Sequence, residues 1–390
     1  MPNGVEKSFG VTAGSPQPAT SRHSHSASEA TNAVPHGDRL AGLDVLRLLA
    51  ALAVVLFHFG YAGPTRGTSV THFPEIAAFS KYGFLGVDLF FLISGYVITA
   101  SAQGRTWHQF AVARALRLYP AYVVCMTITA LVVICLGTRG PDVTPTRWLA
   151  NLTMVAPAFG QPFMDGAYWS IVVEMVFYGW VGVMIALGLF ERRLLTILAI
   201  WLAVAALNET IIQSRVVRLG LCSEYAGLFA SGILIQRLRA GERSLLAWGL
   251  LGLAFSLGML HVFEVQRIFA TLYGDGVDRE ILWTLHLGMY ALFIGALWLS
   301  RWVHATPAVL TIGALTYPLY LIHQHVGYAL IDTLAPLAGS GNALAISVGC
   351  VVIVAFIVQR WLEPAGRAIF KRALAHIPER SSIAVSMPNR

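Results

Sequence analysis

The chain has 390 residues, of which 56% are hydrophobic and only 12% are charged. Soluble domains carry about 25% charged residues, so this composition excludes an ordinary soluble protein and predicts one that crosses a membrane several times. The net charge of +7 does not indicate a nucleic-acid partner, because the basic residues flank apolar segments and form no patch with aromatic side chains.

Residues 1–38 differ in composition from the rest of the chain. They are rich in Ser, Ala, Thr, Gly and Pro and contain no hydrophobic run. We therefore predict a disordered tail, not a cleavable signal peptide. His23, His25 and His36 lack the spacing of metal ligands, and we predict no metal site.

Residues 39–365 are predicted to form one transmembrane domain. About ten apolar segments approach the roughly 20 residues that cross a bilayer. They are residues 41–62, 84–101, 118–137, 168–189, 193–208, 217–236, 245–263, 281–300, 308–332 and 342–362. Each run is continuously apolar, without the alternation of outer-membrane strands, so we predict an all-α polytopic bundle of about ten helices. The four cysteines lie inside these runs and are interpreted as packing residues.

The basic residues predict the orientation of the chain. They follow the second, fourth, sixth and tenth segments, and residues 366–390 form a basic C-terminal tail. If ten helices alternate in direction, all these ends lie on one side of the membrane. The positive-inside rule then places that side, and both termini, in the cytoplasm.

The first segment contains two ionisable residues, Arg47 and His58. His58 comes eleven positions after Arg47, and at about 100° per residue both side chains point in nearly the same direction. A charged residue in a membrane helix costs on the order of 3 kcal/mol, so such residues usually face a protein interior or a watery cavity. Arg47 also has a structural interpretation, since Asp44 lies three residues earlier and can form an intrahelical ion pair.

Alternating helices also convert sequence position into depth. By this criterion His58, Asp88, Glu174 and His323 all lie in the outer half of the membrane, each on a different helix. A single one of them is equally compatible with interfacial water or simple packing, but four to five unpaired charges would cost about 10–15 kcal/mol. We therefore predict a shared cavity. His58 with either Asp88 or Glu174 makes the imidazole and carboxylate pair of a general base, and the sequence does not choose between them.

A second polar group lies at the start of the third segment. Arg114 and Arg117 are three residues apart on one helical face, directly before Tyr119 and Tyr122. They are interpreted either as positive-inside anchors or as a pair that binds phosphate. A ligand with phosphates at the cytoplasmic face and a reactive end near His58 needs a long thin arm, as coenzyme A has.

The chain resembles the acyltransferase-3 family of integral membrane proteins over most of residues 39–363. The resemblance rests on five motifs in order: R-L-A-G-L-D-V-L-R followed by His58, G-F-L-G-V-D-L-F-F-L-I-S-G-Y-V-I, R-A-L-R-L-Y-P-A-Y, Y-W-S-I-V-V-E-M-V-F-Y and L-T-Y-P-L-Y-L-I-H. It departs from the family pattern at Ala113, where many relatives have a further basic residue, and at Gln324 and His325, which follow His323. Compact exopolysaccharide-type members are the most similar in general appearance.

The resemblance implies a site and a function. Arg47 and His58 correspond to the family's essential Arg-x10-His pair, and Arg114 and Arg117 correspond to its R-x-x-R element. It further implies a bacterial inner-membrane enzyme that transfers an acyl group, usually acetyl from acetyl-CoA, to a glycan or glycolipid hydroxyl. Acyl-CoA is expected as a donor substrate, with no permanently bound cofactor.

The resulting hypothesis assigns two groups of residues. The predicted donor-binding residues are Arg114, Arg117 and Tyr122, and the predicted catalytic residues are His58, Arg47, Glu174, Asp88 and His323. His58 is expected to deprotonate the acceptor hydroxyl or to relay the acyl group, while Arg47, Tyr178 or His323 stabilises the oxyanion. The alternatives are a transporter or flippase for a lipid-linked saccharide, and a purely structural membrane protein.

Overall fold

A computed structural model describes residues 40–375 apart from 138, 141 and 304. Within these residues the chain is helical and contains no strand. We number the main helices in chain order: α1 Ala41–Phe57, α2 Pro74–Ser80, α3 Leu85–Ala102, α4 Trp107–Leu136, α5 Pro145–Asn151, α6 Trp169–Ala186, α7 Leu194–Leu207, α8 Arg215–Leu221, α9 Ala226–Arg239, α10 Leu245–Tyr273, α11 Arg279–Leu299, α12 Pro307–Ala338, α13 Ser340–Ile357 and α14 Glu363–Ala375. The tail predicted at 1–38 lies outside the described residues.

The helices confirm an all-α polytopic protein. Eight helical segments in the described part are long and apolar enough to cross a membrane, and a ninth results if α8 and α9, bent by 62°, form one span. Side-chain caps fix several helix starts, as at Thr106, Ser244 and Thr306, whose hydroxyls accept backbone N–H groups of the first turn.

Helix α12 is the exception among the predicted spans. It has 32 residues, yet it is not among the helices that are apolar enough to cross a membrane, since its middle carries His323, Gln324 and His325. It packs against α1, α4 and α13, and most residues from 315 to 331 are buried. A helix enclosed by protein can carry polar side chains that a lipid-facing helix cannot.

Close backbone packing fixes the rotation of α3 against α9. A Cβ atom added at Gly95 would lie 2.1 Å from the Phe229 carbonyl oxygen, and one added at Gly232 would lie 2.1 Å from that of Leu92. Only glycine permits this approach, which is typical of helix pairs in membranes. The face of α3 that includes Ser94 is thereby directed toward α6.

Contacts at the two ends of the bundle agree with alternating helices. At one end the Gly42 N–H donates to the Ser300 hydroxyl at 2.9 Å, and an Arg239 Nη1–H donates to the Leu297 carbonyl oxygen at 3.1 Å. We call this the basic end. At the opposite end the Tyr61 hydroxyl donates to Asp275 at 3.3 Å. The assignment of the basic end to the cytoplasm stays a prediction.

The last described helix crosses the predicted boundary at residue 365. A π-helical turn, Val358–Leu362, joins α13 to α14. Gly366 of α14 then packs on α4, where a Cβ atom would lie 3.2 Å from the Cβ atom of Pro120. Gly366 and Phe370 of α14 therefore pack on α4, and the three residues between them are exposed.

Candidate active site

Two histidines from α1 and α12 meet near the opposite end of the bundle. The last turn of α1 widens into a π-helical turn, His58–Ala62, a distortion that is frequent at functional sites. His58 Nδ1 lies 3.1 Å from the Tyr328 hydroxyl, and the His58 and His323 ring centroids are 5.0 Å apart. The structure thus brings together two predicted catalytic residues that are far apart in sequence.

The surroundings of His323 assign its tautomer. Its Nδ1 atom lies 2.8 Å from the Tyr320 carbonyl oxygen. A carbonyl only accepts, so Nδ1 carries the proton and Nε2 holds the lone pair. That Nε2 atom is buried without a hydrogen-bond partner among the described residues. His323 is consequently arranged to accept a proton at Nε2 and not to donate one there.

A buried carboxylate, Asp165, lies behind this pair. It is 0% exposed, and its two oxygens accept the Ala167 N–H at 2.9 Å and the His325 N–H at 3.1 Å. The second of these bonds joins Asp165 to the backbone of α12 two residues after His323. Asp165 is therefore the carboxylate that this structure gives to the histidine cluster.

Arg147 and Asn151 of α5 hold the loop that carries Asp165. Arg147 donates to the carbonyl oxygens of Pro162, at 3.3 Å, and of Phe163. Asn151 also donates to Pro162, at 3.0 Å, and it accepts the Met164 N–H at 2.8 Å. Burial lowers the pKa of Arg147, and the carboxylates of Asp142 and Asp165 oppose this shift. The hydrogen bonds of Arg147 and Asn151 fix the backbone next to Asp165.

Nearer the basic end, Glu174 belongs to a second polar group. Its Oε1 atom accepts hydrogen bonds from the Ser94 hydroxyl at 3.0 Å and from the Tyr178 hydroxyl one turn along α6. The Tyr178 ring in turn lies beneath Arg114, whose Cζ atom is 5.9 Å from the ring centroid. Glu174 is thus coupled to the predicted donor-binding arginines through Tyr178.

Arg114 lies in a groove of about 450 Å³ between α4 and α6. Aromatic side chains line much of it, including Trp107, Phe110, Tyr119 and Phe370. The Arg114 Nε atom is buried and has no hydrogen-bond partner among the described residues. The groove therefore combines apolar walls with an available cation, as a site for an amphiphilic anion requires.

Arg47 lies on the same side of the bundle as this groove. It forms the intrahelical ion pair with Asp44 that was one of its two interpretations from the sequence, with Nη1 3.2 Å from Asp44 Oδ1. Arg117, the second predicted phosphate-binding arginine, is exposed on α4 and is not among the residues that line the groove.

A contact between two hydroxyl groups links α6, which carries Glu174, to α12, which carries His323. The Ser170 and Tyr320 hydroxyl oxygens are 2.7 Å apart. Ser170 lies one helical turn before Glu174 on α6, and Tyr320 lies three residues before His323 on α12. We call this series the polar line: Arg114, Tyr178, Glu174, Ser170, Tyr320, His323 and His58.

Comparison with known proteins gives this arrangement a family. A protein-family model described as an acyltransferase domain matches residues 40–359, most of the chain. The chain belongs to this acyltransferase family. The match covers both the two histidines and the arginine groove, and it confirms the family resemblance drawn from the five motifs.

Several curated proteins share parts of this acyltransferase domain. Over 155 residues, 35% of the chain, it is 26% identical to the peptidoglycan O-acetyltransferase OatA of Listeria monocytogenes, of which this covers 22%. It is 28% identical over 165 residues, 37% of the chain, to the acyltransferase MdmB of Streptomyces mycarofaciens, of which this covers 38%. It is 34% identical over 88 residues, 22% of the chain, to an O-acetyl transferase of Shigella phage Sf6, of which this covers 24%.

The chain therefore spans less than two fifths of the length of the curated relatives it matches. No solved structure matches the chain.

Within this acyltransferase domain, Asp88 does not lie beside His58 as expected. Its Oδ1 atom is 3.4 Å from Nε2 of His261 on α10, and His261 Nδ1 is 3.7 Å from Glu224. Six residues separate Asp88 from Ser94, which turns the two side chains about 120° apart around α3. Equal depth placed Asp88 in the histidine cavity, but rotation about the helix axis directs it toward α10.

Neither predicted carboxylate contacts His58. Glu174, the second predicted carboxylate, accepts its hydrogen bonds from Ser94 and Tyr178 instead. Ser170, one helical turn before Glu174, contacts the Tyr320 hydroxyl on α12, so Glu174 is related to the histidines only through neighbouring residues of the two helices. The predicted single cavity for four ionisable groups is therefore replaced by a line, with Asp88 apart from it.

Tyr122 also lies away from its predicted position. Its ring is fully buried 4.9 Å from that of Tyr168, and its hydroxyl donates to the Asn151 carbonyl oxygen at 2.9 Å. Eight residues after Arg114, it faces about 80° away around α4. Tyr122 packs the loop that carries Asp165 and does not line the groove.

Sequence reasoning missed Asp165, Tyr328 and His261. Asp165 precedes a helix, where an acidic residue ordinarily caps the backbone, and it does accept the Ala167 N–H. Tyr328 gives no sequence signal beyond its position five residues after His323 on a polar helix. His261 was hidden in an apolar span, where an imidazole on its own is compatible with packing.

Proposed function

We propose that this chain is a membrane O-acyltransferase that moves an acyl group from acyl-CoA to a hydroxyl of a cell-surface or exported glycan or glycolipid. Acetyl is the first candidate for the acyl group. The observation that carries the proposal is the polar line, which connects an arginine groove at one end of the bundle with two histidines at the other. Relatives named as O-acetyltransferases support the reaction class.

The donor enters from the basic end in this proposal, which is taken as the cytoplasmic face of a bacterial inner membrane. The guanidinium groups of Arg114 and Arg117 bind phosphate oxygens of coenzyme A. The pantetheine arm follows the polar line past Tyr178 and Ser170, so that the thioester reaches the histidines.

At the histidines, His58 removes the proton from the acceptor hydroxyl while the hydroxyl oxygen attacks the thioester carbon. The new ester forms, the carbon–sulfur bond breaks, and the imidazolium returns the proton to the departing thiolate. His323, with its lone pair at Nε2, is a second proton acceptor beside His58. In this tautomer it does not serve as the oxyanion donor.

The test is transfer of radiolabelled acetyl from acetyl-CoA to candidate glycans in membranes that contain the protein. The wild type is expected to label one acceptor class, and a correctly inserted His58→Ala variant is expected to lose nearly all transfer. Full transfer by that variant would sink the mechanism. Movement of a lipid-linked sugar across the membrane without label transfer would instead support the flippase alternative.

A further inference from the structure

The groove at Arg114 has a third wall from the C-terminal helix α14. Phe370 lines the groove, and its ring centroid lies 5.0 Å from that of Tyr119 with 32° between the ring planes. Gly366, one turn earlier, allows α14 to approach Pro120 on α4. Helix α14 is therefore docked at the groove and contributes an aromatic surface to it.

The same helix brings cations to this wall. Arg367 precedes Phe370 by three residues, and Lys371 follows Arg367 by four, so both lie one turn apart on one flank of α14. Both are exposed, and Arg367 also pairs with Glu363 at 2.5 Å. Arg114 lies in the groove, whereas Arg367 and Lys371 lie on α14 beside Phe370, next to the residues that line the groove.

The size and lining of the groove indicate which part of a ligand it can bind. A volume of about 450 Å³ suits one end of a large cofactor and not the whole of it. Aromatic rings bind a purine by stacking, and guanidinium and ammonium groups bind phosphates. A bilayer lipid tail would fill the apolar walls but would leave the buried Arg114 Nε atom without an anion.

We propose that α14 forms part of the donor site and binds the nucleotide end of acyl-CoA, with the adenine against Tyr119 and Phe370 and the phosphates at Arg367 and Lys371. Arg114 then meets the phosphate nearest the pantetheine arm. This proposal rests on the proposed function, and it adds residues that the sequence assigned to a C-terminal tail.

The experiment measures equilibrium binding of coenzyme A to the purified full chain in lipid nanodiscs. Three variants are compared: Phe370→Ala, the double variant Arg367→Ala with Lys371→Ala, and the double variant Arg192→Ala with Arg193→Ala. Arg192 and Arg193 are exposed and do not line the groove, so their double variant is the control for loss of two positive charges. Thermal unfolding of each variant checks that the bundle is intact.

The two groove variants are expected to weaken binding at least about fivefold, since stacking on a base is worth about 1–3 kcal/mol. The double variant is expected to lose much of the difference in affinity between coenzyme A and dephospho-coenzyme A, and the control to stay within about twofold of wild type. Equal binding by wild type and both groove variants would overturn the role of α14 while leaving the proposed function in place.

Two outcomes separate this inference from the proposed function. If the wild type binds no coenzyme A and transfers no acyl group from it, the proposed function fails first. A reporter attached to a Gly182→Cys variant detects a spin-labelled lipid tail in the groove. If coenzyme A binds but does not displace this lipid tail, the groove is a lipid site and the role of α14 is overturned.

Discussion

His58 and Tyr328 come from helices at opposite ends of the chain, yet the imidazole Nδ1 atom lies 3.1 Å from the phenol oxygen. The contact orients the His58 ring through Nδ1, and the ring centroid lies 5.0 Å from that of His323. The two residues are held there by close packing, since a Cβ atom at Gly63 would lie 2.4 Å from the Tyr328 ring. Orientation of a base by a fixed partner is a recurring device in acyl transfer.

Tyr328→Phe is therefore expected to lower the turnover rate about fivefold with little change in donor affinity, because an orienting hydrogen bond worth about 1 kcal/mol is lost. Steady-state kinetics with the radiolabel assay measures both quantities. Tyr317→Phe is the matched control, because its hydroxyl donates to the Leu118 carbonyl oxygen at 3.2 Å on the side of α12 that faces α4. A wild-type rate in Tyr328→Phe would contradict the role of this contact.

His323 and His325 provide a second pair for comparison. Loss of the Nε2 lone pair in His323→Gln is expected to reduce the rate by about 10²- to 10⁴-fold, the usual range for a general base. In His325→Gln the backbone N–H still donates to Asp165, so a loss below about tenfold is expected. Similar losses in both variants would show that burial, and not the lone pair of His323, decides the effect.

Asp165 is expected to matter for both stability and rate. Asp165→Asn replaces an oxygen that accepts a backbone N–H by an NH₂ group, which leaves a buried donor unpaired and costs about 1–3 kcal/mol. Thermal unfolding and the transfer rate are both expected to fall. The exposed Glu75 of α2 supplies the control, and Glu75→Gln is expected to behave like wild type in both assays.

The contrast between Asp88 and His323 explains how far the sequence reaches. Hydropathy placed the helices, and alternation placed both residues at similar depth. Depth, however, says nothing about rotation around a helix, which depends on packing such as that of Gly95 against Phe229. That rotation decides that α12 directs His323 to His58 and that α3 directs Asp88 to His261.

Contacts made by loops are the other part of the site that the sequence pattern does not predict. Asp165 reaches the histidines because Arg147 and Asn151 fold the segment before α6 inward, through hydrogen bonds to backbone carbonyls. Those contacts depend on backbone positions and not on side-chain patterns, so periodicity does not reveal them. The groove wall formed by Phe370 was missed for a similar reason, because a basic segment was interpreted as a tail.

The Asp88 and His261 pair is expected to stabilise the bundle without taking part in the chemistry. Both side chains are about 5% exposed or less, so Asp88→Asn breaks a buried pair at a cost of up to about 3–5 kcal/mol. A lower melting temperature with an unchanged rate per folded molecule is expected. Glu264→Gln is the control, since its partner Arg267 is 73% exposed and surface pairs contribute about 1 kcal/mol or less. A rate loss without a stability loss in Asp88→Asn would return Asp88 to the catalytic residues.

Gly232→Ala tests whether the α3 and α9 contact sets the position of Glu174. The new methyl group would lie 2.1 Å from the Leu92 carbonyl oxygen, so α3 must shift, and the Ser94 hydroxyl would move away from Glu174. The expected result is lower thermal stability together with a lower transfer rate. Gly249→Ala on α10 has no heavy atom within 4 Å of the new Cβ and gains helix propensity of up to about 1 kcal/mol, so it should be neutral or stabilising. If Gly232→Ala lost stability but kept the wild-type rate per folded molecule, the hydrogen bond from Ser94 would not be needed to hold Glu174 on the polar line.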